Sequence, residues 1–198
     1  PHPVLQKLSG EPVWSLDVAV RDKLSRLTLS SNMLGLQSGL PAPFAKQAET
    51  SIPFRIEMKD INRQQTAVTA QYGSQLNANL LAVRGDEGDW GIKRGIVNFG
   101  NVPQKADRNG LWVIGTLPQL SLDGWGELVS ADTQGSPVAI AGIDLLVQQV
   151  TGYGNQINDL HIKASRRNKV LYAQLASREL NGELSWQSGE SGAVDYAD

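Results

Sequence analysis

Few residues of this chain could take part in covalent chemistry, and none of them stands in a known catalytic pattern. The chain has two histidines and no cysteine, which excludes thiolate nucleophiles, thiolate metal ligands and disulfides. His161 lies between Leu160 and Ile162 in an alternating segment, so we expect it on the polar face of a strand. No Gly-x-Ser-x-Gly motif is present. We therefore expect no catalytic residue and interpret the chain as a protein that is not an enzyme.

Metal, phosphate and nucleic-acid sites are equally poorly supported. Asp86, Glu87 and Asp89 form an acidic run, but the spacing and the downstream Glu of a calcium loop are missing. The segments Gly124–Gly126 and Gly152–Gly154 are single Gly-x-Gly pairs without the third glycine of a dinucleotide loop. The 198 residues carry a net charge of −2, which lacks the basic footprint of a nucleic-acid-binding protein. We expect no metal, no cofactor and no nucleic-acid partner.

The elements that must position the side chains are predicted to be β-strands. The clearest alternation places Phe54, Ile56 and Met58 on one face of a strand. Similar segments recur about every 8–12 residues, which favours antiparallel meanders over βαβ units. Turn residues such as Gly73-Ser74 and Asn109-Gly110 are predicted to form hairpins. The predicted strands cover residues 14–21, 24–31, 52–59, 64–72, 75–84, 93–99, 110–117, 138–150, 157–165, 169–177 and 180–187.

Two stretches interrupt the alternation. Residues 32–50 are predicted to form a loop or crossing segment, with one short helix near 43–49. Residues 119–131 are predicted to contain a short helix that Asp123 caps. The fold class is therefore mostly β with one or two short helices, and residues 1–198 are interpreted as a single β-rich segment.

The five tryptophans outnumber the three phenylalanines. We favour the interpretation that they fill the core, and the alternative is that they stack on sugars or lie at a lipid interface. Trp112 belongs to a strand that is apolar on both faces, since Ile114 shares its face and Leu111 and Val113 occupy the other. Such a strand is either buried on both sides or lines an apolar groove on one of them.

Three blocks, in the same order and with similar spacing, resemble one family. Residues 35–46 (GLQSGLPAPFAK) resemble the G-L-x-S-x-L-P-x-P-x-x-K block of YhdP-like proteins, which belong to the AsmA-like family of Gram-negative bacteria. Residues 110–125 resemble the strand, L-P-x-L segment and Trp-bearing helix of the same family. Residues 177–186 (SRELNGELSW) resemble its R-E-I-N-G-x-L block.

This resemblance implies a fold and a function. AsmA-like proteins are similar to bridge-like lipid transfer proteins, and they extend through the periplasm from an N-terminal helix anchored in the inner membrane. Their long bent antiparallel sheet forms a half-open β-groove, along which phospholipids move toward the outer membrane. The chain would be an internal segment of one or two repeat units without a membrane span. Its partners would be phospholipid acyl chains and flanking repeats of the same protein. The resemblance carries no catalytic motif.

The alternating strands supply candidates for the lining of such a groove. These candidates are Phe54, Ile56, Met58, Val68, Leu80, Val97, Phe99, Leu111, Val113, Ile162 and Leu184. The same residues would form the core of a closed β-sandwich, which is the alternative fold. Alternative functions are a glycan-binding module, an envelope scaffolding segment and, third, an enzyme whose carboxylates meet only in three dimensions.

Overall fold

The computed structural model describes residues 3–85, 88–131, 140–167 and 170–187. Within these ranges, thirteen strands and two short helices follow one another along the chain. Their bounds are α1 Pro3–Gln6, β1 Leu8–Gly10, β2 Ser15–Arg21, β3 Leu24–Ser31, β4 Leu36–Ser38, β5 Phe54–Asn62, β6 Gln65–Tyr72, β7 Leu76–Arg84, β8 Trp90–Phe99, β9 Gly110–Ser121, α2 Leu122–Ala131, β10 Ile140–Gly152, β11 Asn155–Arg167, β12 Val170–Ala176 and β13 Asn181–Gln187.

Eleven of these strands form one continuous sheet, in the order β13-β12-β11-β10-β9-β8-β7-β6-β5-β3-β2. Each strand lies beside the strand that precedes it in the chain, except that β4 leaves the sheet and pairs with β1. In the described part of the chain no second large sheet faces this one. The mostly-β prediction is confirmed, and the alternative of a closed sandwich does not describe the arrangement.

The sheet is mixed, whereas the sequence predicts an antiparallel one. Eight of the ten neighbouring pairs are antiparallel, but β9 runs parallel to both β8 and β10. Parallel neighbours require a crossover instead of a tight turn, and residues 100–109 form the first one. The hairpin predicted at Asn109-Gly110 is therefore wrong, because β9 begins at Gly110 after this crossover.

The crossover at residues 100–109 is fastened to the sheet by asparagine side chains. Asn77, Asn79 and Asn98 donate hydrogen bonds from their side-chain amides to backbone carbonyls of the crossover, at 2.5–2.6 Å. Asn77 and Asn98 are each only 6% exposed, and a buried amide requires such partners. These three asparagines hold the crossover against the face of the sheet on which they lie.

The loop predicted at residues 32–50 contains β4 and an isolated bridge between Ser38 and Lys46. The short helix predicted near 43–49 is wrong, since turns and the bridge occupy that segment. Pro41 and Pro43 lack backbone N–H groups and restrict the residues before them, which disfavours a helix at this point.

The helix predicted at residues 119–131 is present but begins at Leu122, because β9 continues through Ser121. Asp123 does not cap it as predicted. Instead, both carboxylate oxygens of Asp123 accept hydrogen bonds from the backbone N–H of Tyr153, at 3.0 and 3.1 Å. This contact ties the start of α2 to the turn between β10 and β11.

Candidate functional site

One row of side chains crosses all eleven strands of the large sheet and is apolar at every step. Each member of the row is the register partner of the next, from β2 at one edge to β13 at the other. The row consists of Leu16, Leu29, Ile56, Ala70, Ala78, Val97, Val113, Ile143, Ala164, Ala173 and Leu184. We call the face that carries this row the apolar face, and the opposite one the outer face.

A second row lies two residues further along the strands and is also free of polar side chains. It comprises Val18, Leu27, Met58, Val68, Leu80, Gly95, Leu111 and Ile140. Two adjacent apolar rows form a band across eight strands, since residues two apart in a strand lie on the same face. The apolar face is therefore a continuous surface and not a set of separate pockets.

The structure brings all eleven predicted lining residues onto this one face. They are Phe54, Ile56, Met58, Val68, Leu80, Val97, Phe99, Leu111, Val113, Ile162 and Leu184. Met58 is 44% exposed and Leu184 is 55% exposed, and the other nine are half-buried. Their role in binding a ligand remains a prediction.

Sequence reasoning missed the small residues of the row. Ala70, Ala78, Ala164 and Ala173 alternate with larger apolar side chains in their strands, but alanine occurs on either face of a sheet and gives a weak signal. Their small side chains deepen the apolar face at the strands that carry them. The alternation Val68-x-Ala70 is the signal that could have identified the first of them.

One end of the apolar face is covered by residues 36–46 together with α2, which we call the end cap. Phe44 is its centre, with ring centroids 5.9 Å from Tyr72 of β6, 6.3 Å from Phe99 of β8 and 5.9 Å from Trp125 of α2. The indole N–H of Trp125 donates a hydrogen bond to the Ala42 carbonyl at 2.9 Å. These contacts join the two parts of the end cap and close that end with aromatic rings.

Buried residues fix the end cap in place. Among the described residues, a buried apolar cluster on β9, β10 and β11 lies toward this end, and Val147 within it is 0% exposed. Lys46 is 5% exposed, and its ammonium donates to the carbonyls of Leu36 at 2.6 Å and Gln47 at 3.0 Å. Burying a charge requires such partners, so Lys46 holds the turn of the end cap together.

The opposite ends of β3, β5 and β6 carry a polar cluster on the apolar face, which we call the open rim. There the carboxylate of Asp60 accepts hydrogen bonds from Ser25 N–H at 3.0 Å, Ser25 Oγ–H at 2.6 Å and Thr66 Oγ1–H at 2.8 Å. These hydrogen bonds, led by that of the Ser25 hydroxyl, lower the pKa of Asp60. The open rim thus holds an ionised carboxylate at neutral pH.

The outer face is mostly polar, and a cavity of about 660 Å³ lies on it, lined mainly by residues of that face. Trp112, Lys163, Arg167 and Tyr172 are among the residues that line it. Trp112 lies over Gly142, and the Arg108 guanidinium stacks on its ring at 4.2 Å. The sequence left two possibilities for the strand of Trp112, which were burial on both sides or an apolar groove on one side. In the structure this strand has the apolar face on one side and this cavity on the other.

Other predictions on single residues have mixed outcomes. His161 lies on the outer face as predicted and contacts Asp144 at 2.7 Å. Trp14 and Trp90 are 44% and 53% exposed, so the interpretation that they fill the core is wrong. Both residues lie near strand ends, where the sheet leaves their rings in contact with solvent. The side chain of Trp186 lies outside the described residues, as do Asp86 and Glu87.

The part of the chain that the structure describes holds neither a metal-ligating cluster nor a membrane-spanning helix. No three His, Asp or Glu side chains come together there to hold a metal ion. The two helices, of four and ten residues, are too short to cross a bilayer.

An extended sheet with one continuous apolar face agrees with an envelope protein of the AsmA-like class. Within that class the chain belongs to the YhdP family, because the family model described as "YhdP protein" matches residues 1–196. YhdP proteins are bacterial envelope proteins. No curated protein and no solved structure matches the chain.

Proposed function

We propose that this chain is a segment of a periplasm-spanning protein that carries phospholipids between the inner and outer membranes, and so supports outer-membrane lipid homeostasis. The observation that carries the proposal is the row of apolar side chains across eleven strands, without a polar residue in it. Burying an acyl chain yields about 0.8 kcal/mol per CH₂. A continuous apolar surface therefore binds lipid without a specific polar contact.

Continuity across the sheet favours movement over storage. A lipid that shifts from strand to strand exchanges one apolar neighbour for another, so its binding free energy changes little at each step. A charged side chain in the row would instead be covered by hydrocarbon, which is costly. The apolar face thus has the property that a conduit needs, which is many similar, shallow binding positions.

The sheet edges support a longer groove. Leu16 on β2 is 59% exposed and Leu184 on β13 is 55% exposed, so the apolar row reaches both edges uncovered. Neither edge strand has an outer neighbour in the described residues, and unpaired edges readily accept another strand. In our proposal, flanking repeats of the same protein continue the sheet, and an upstream helix anchors the whole protein in the inner membrane.

Two variants that each add one carboxylate test this function through the amount of phospholipid that the purified protein retains. Met58→Glu places a carboxylate on the apolar face at a position that is 44% exposed, so we expect the protein to fold with it. Gln71→Glu adds the same charge to the outer face of the neighbouring strand, opposite Arg55. Organic extraction and mass spectrometry of the purified protein should show several-fold less phospholipid with Met58→Glu and no change with Gln71→Glu. Equal lipid content in both variants, or no lipid in the wild type, would contradict the proposal.

A second candidate function rests on the outer face. The cavity of about 660 Å³ there has the exposed ring of Tyr172 and several polar side chains, a combination that suits a sugar. Titration with oligosaccharides, followed by tryptophan fluorescence through Trp112, tests this alternative. A saturable change would support glycan binding, and a lipid conduit alone predicts none.

A further inference from the structure

We propose that the end cap orients the lipid: the ends of its acyl chains lie against the aromatic residues of the cap, and its polar headgroup lies at the open rim. This inference rests on the proposed function and adds a direction to it. The direction is set along the strands, at right angles to the row along which lipid would move. It follows from the different chemistry of the two ends of the apolar face.

The end-cap side is a closed apolar wall. Phe44, Tyr72, Phe99 and Trp125 surround that end of the apolar face with aromatic rings, and the only indole N–H among them is already donated to Ala42. Besides the Tyr72 hydroxyl these rings offer no further polar group, so a phosphate or an ammonium group placed against this wall would lose most of its water for at most one partner, which costs free energy. Terminal methyl groups meet no such penalty.

The open rim has the opposite character. Asp60 lies two residues after Met58 on β5, with Thr66 of β6 as its register partner and Ser25 of β3 hydrogen-bonded to its carboxylate. Its carboxylate is held in the charged form by three hydrogen bonds that lower its pKa. An acyl chain laid over this cluster would cover an ionised group with hydrocarbon, whereas a hydrated headgroup would not. Both ends therefore favour the same orientation.

The distance between the two ends fits a lipid. On β6 the wall residue Tyr72 and the rim residue Thr66 are six residues apart, which corresponds to about 20 Å of extended strand. One leaflet of a bilayer holds acyl chains within about 15 Å of hydrocarbon. A chain that starts at the aromatic wall thus ends before the open rim, and the headgroup is left beside Asp60.

Two photoreactive phospholipids test the orientation with the intact chain. One carries a diazirine at the terminal acyl carbon and the other carries it at the headgroup, each in phosphatidylethanolamine vesicles. After illumination, mass spectrometry locates the adducts. The terminal-carbon probe should label the region of Tyr72 and Phe99 roughly tenfold more than the region of Asp60 and Thr66, and the headgroup probe should show the reverse. Tenfold corresponds to about 1.4 kcal/mol.

The outcomes separate this inference from the proposed function. Equal labelling of both ends by each probe, or the reversed pattern, would overturn the orientation while leaving lipid binding in place. No adduct on the apolar face with either probe would overturn both. Labelling confined to the outer face would do the same.

Variants of Phe44 give a second measurement. Phe44→Ala removes the ring between the apolar face and Trp125, so terminal-carbon adducts should spread to Trp125. Phe44→Leu keeps an apolar side chain of similar bulk and should retain the wild-type adduct pattern. An unchanged pattern with Phe44→Ala, in protein whose circular dichroism matches the wild type, would contradict the role of the wall. The wild-type map alone decides the orientation if Phe44→Ala does not fold.

Discussion

Gly142 lies beneath the indole ring of Trp112, where a Cβ atom would come within 2.2–2.8 Å of three ring carbons. We expect Gly142→Ala to push the ring aside and to destabilise the protein by about 1–3 kcal/mol, as overpacking does elsewhere. Urea unfolding followed by circular dichroism measures this change.

Gly91 is the matched control, because a Cβ atom there would meet nothing within 4 Å. Gly91→Ala should change the free energy of unfolding by no more than about 0.5 kcal/mol. If Gly142→Ala were as stable as Gly91→Ala, Trp112 would not pack over Gly142.

Asp60 makes the stability of the protein depend on pH. Its pKa is lowered below 3.8 in the folded state, first by the Ser25 hydroxyl. A carboxyl group of this kind contributes stability above its unfolded pKa, and that contribution is lost as the pH falls through the folded pKa. We therefore expect the free energy of unfolding to fall below about pH 4, and to fall less steeply in Asp60→Asn. Urea unfolding at pH 7 and at several acidic values compares the two, and parallel curves would contradict the assignment.

Single residues differ in how well the sequence predicts them. His161 could be assigned to a polar face because its neighbours Leu160 and Ile162 are apolar. The core assignment of Trp14 and Trp90 is wrong, since an aromatic ring near a strand end is equally compatible with core and surface. Asp123 resembles a helix cap locally, but its partner Tyr153 is 30 residues away.

At the scale of elements, strand positions follow from local alternation and strand direction does not. The predicted strand at 24–31 coincides with β3, and most others differ by a few residues at the ends. The parallel pairing of β9 depends on the crossover at residues 100–109, whose path is set in part by contacts with Asn77 and Asn79, 23 and 25 residues away. No local pattern in the sequence encodes those contacts.

The asparagine contacts make a prediction for the crossover. Asn98→Ala removes the amide that donates to the Val102 carbonyl at 2.6 Å, and we expect a loss of about 1–3 kcal/mol because the site is largely buried. Hydrogen exchange of the backbone amides of residues 100–109 should become faster. Asn101→Ala, an exposed position in the same crossover, is the control and should leave both quantities unchanged. Slow exchange in Asn98→Ala would contradict a fastening role.

At the scale of the whole molecule, the apolar face is a product of register. Alternation within each strand predicts which side chains share a face, and the eleven candidates lie on one face for that reason. The alternation does not say how eleven strands align, so the unbroken row from Leu16 to Leu184 emerges only from the pairing. The end cap was also beyond prediction, since Phe44 and Trp125 are 81 residues apart in the sequence and meet only in the fold.

The central claim is that the apolar face carries lipid and the outer face does not. Ile56 and Arg55 are neighbours on β5 that point to opposite faces, so a photo-crosslinking amino acid at each position compares the two faces within one strand. In protein expressed in a bacterial envelope, mass spectrometry should find phospholipid adducts at Ile56 and none at Arg55. Equal labelling at both positions, or no lipid at Ile56, would contradict a lipid-carrying face.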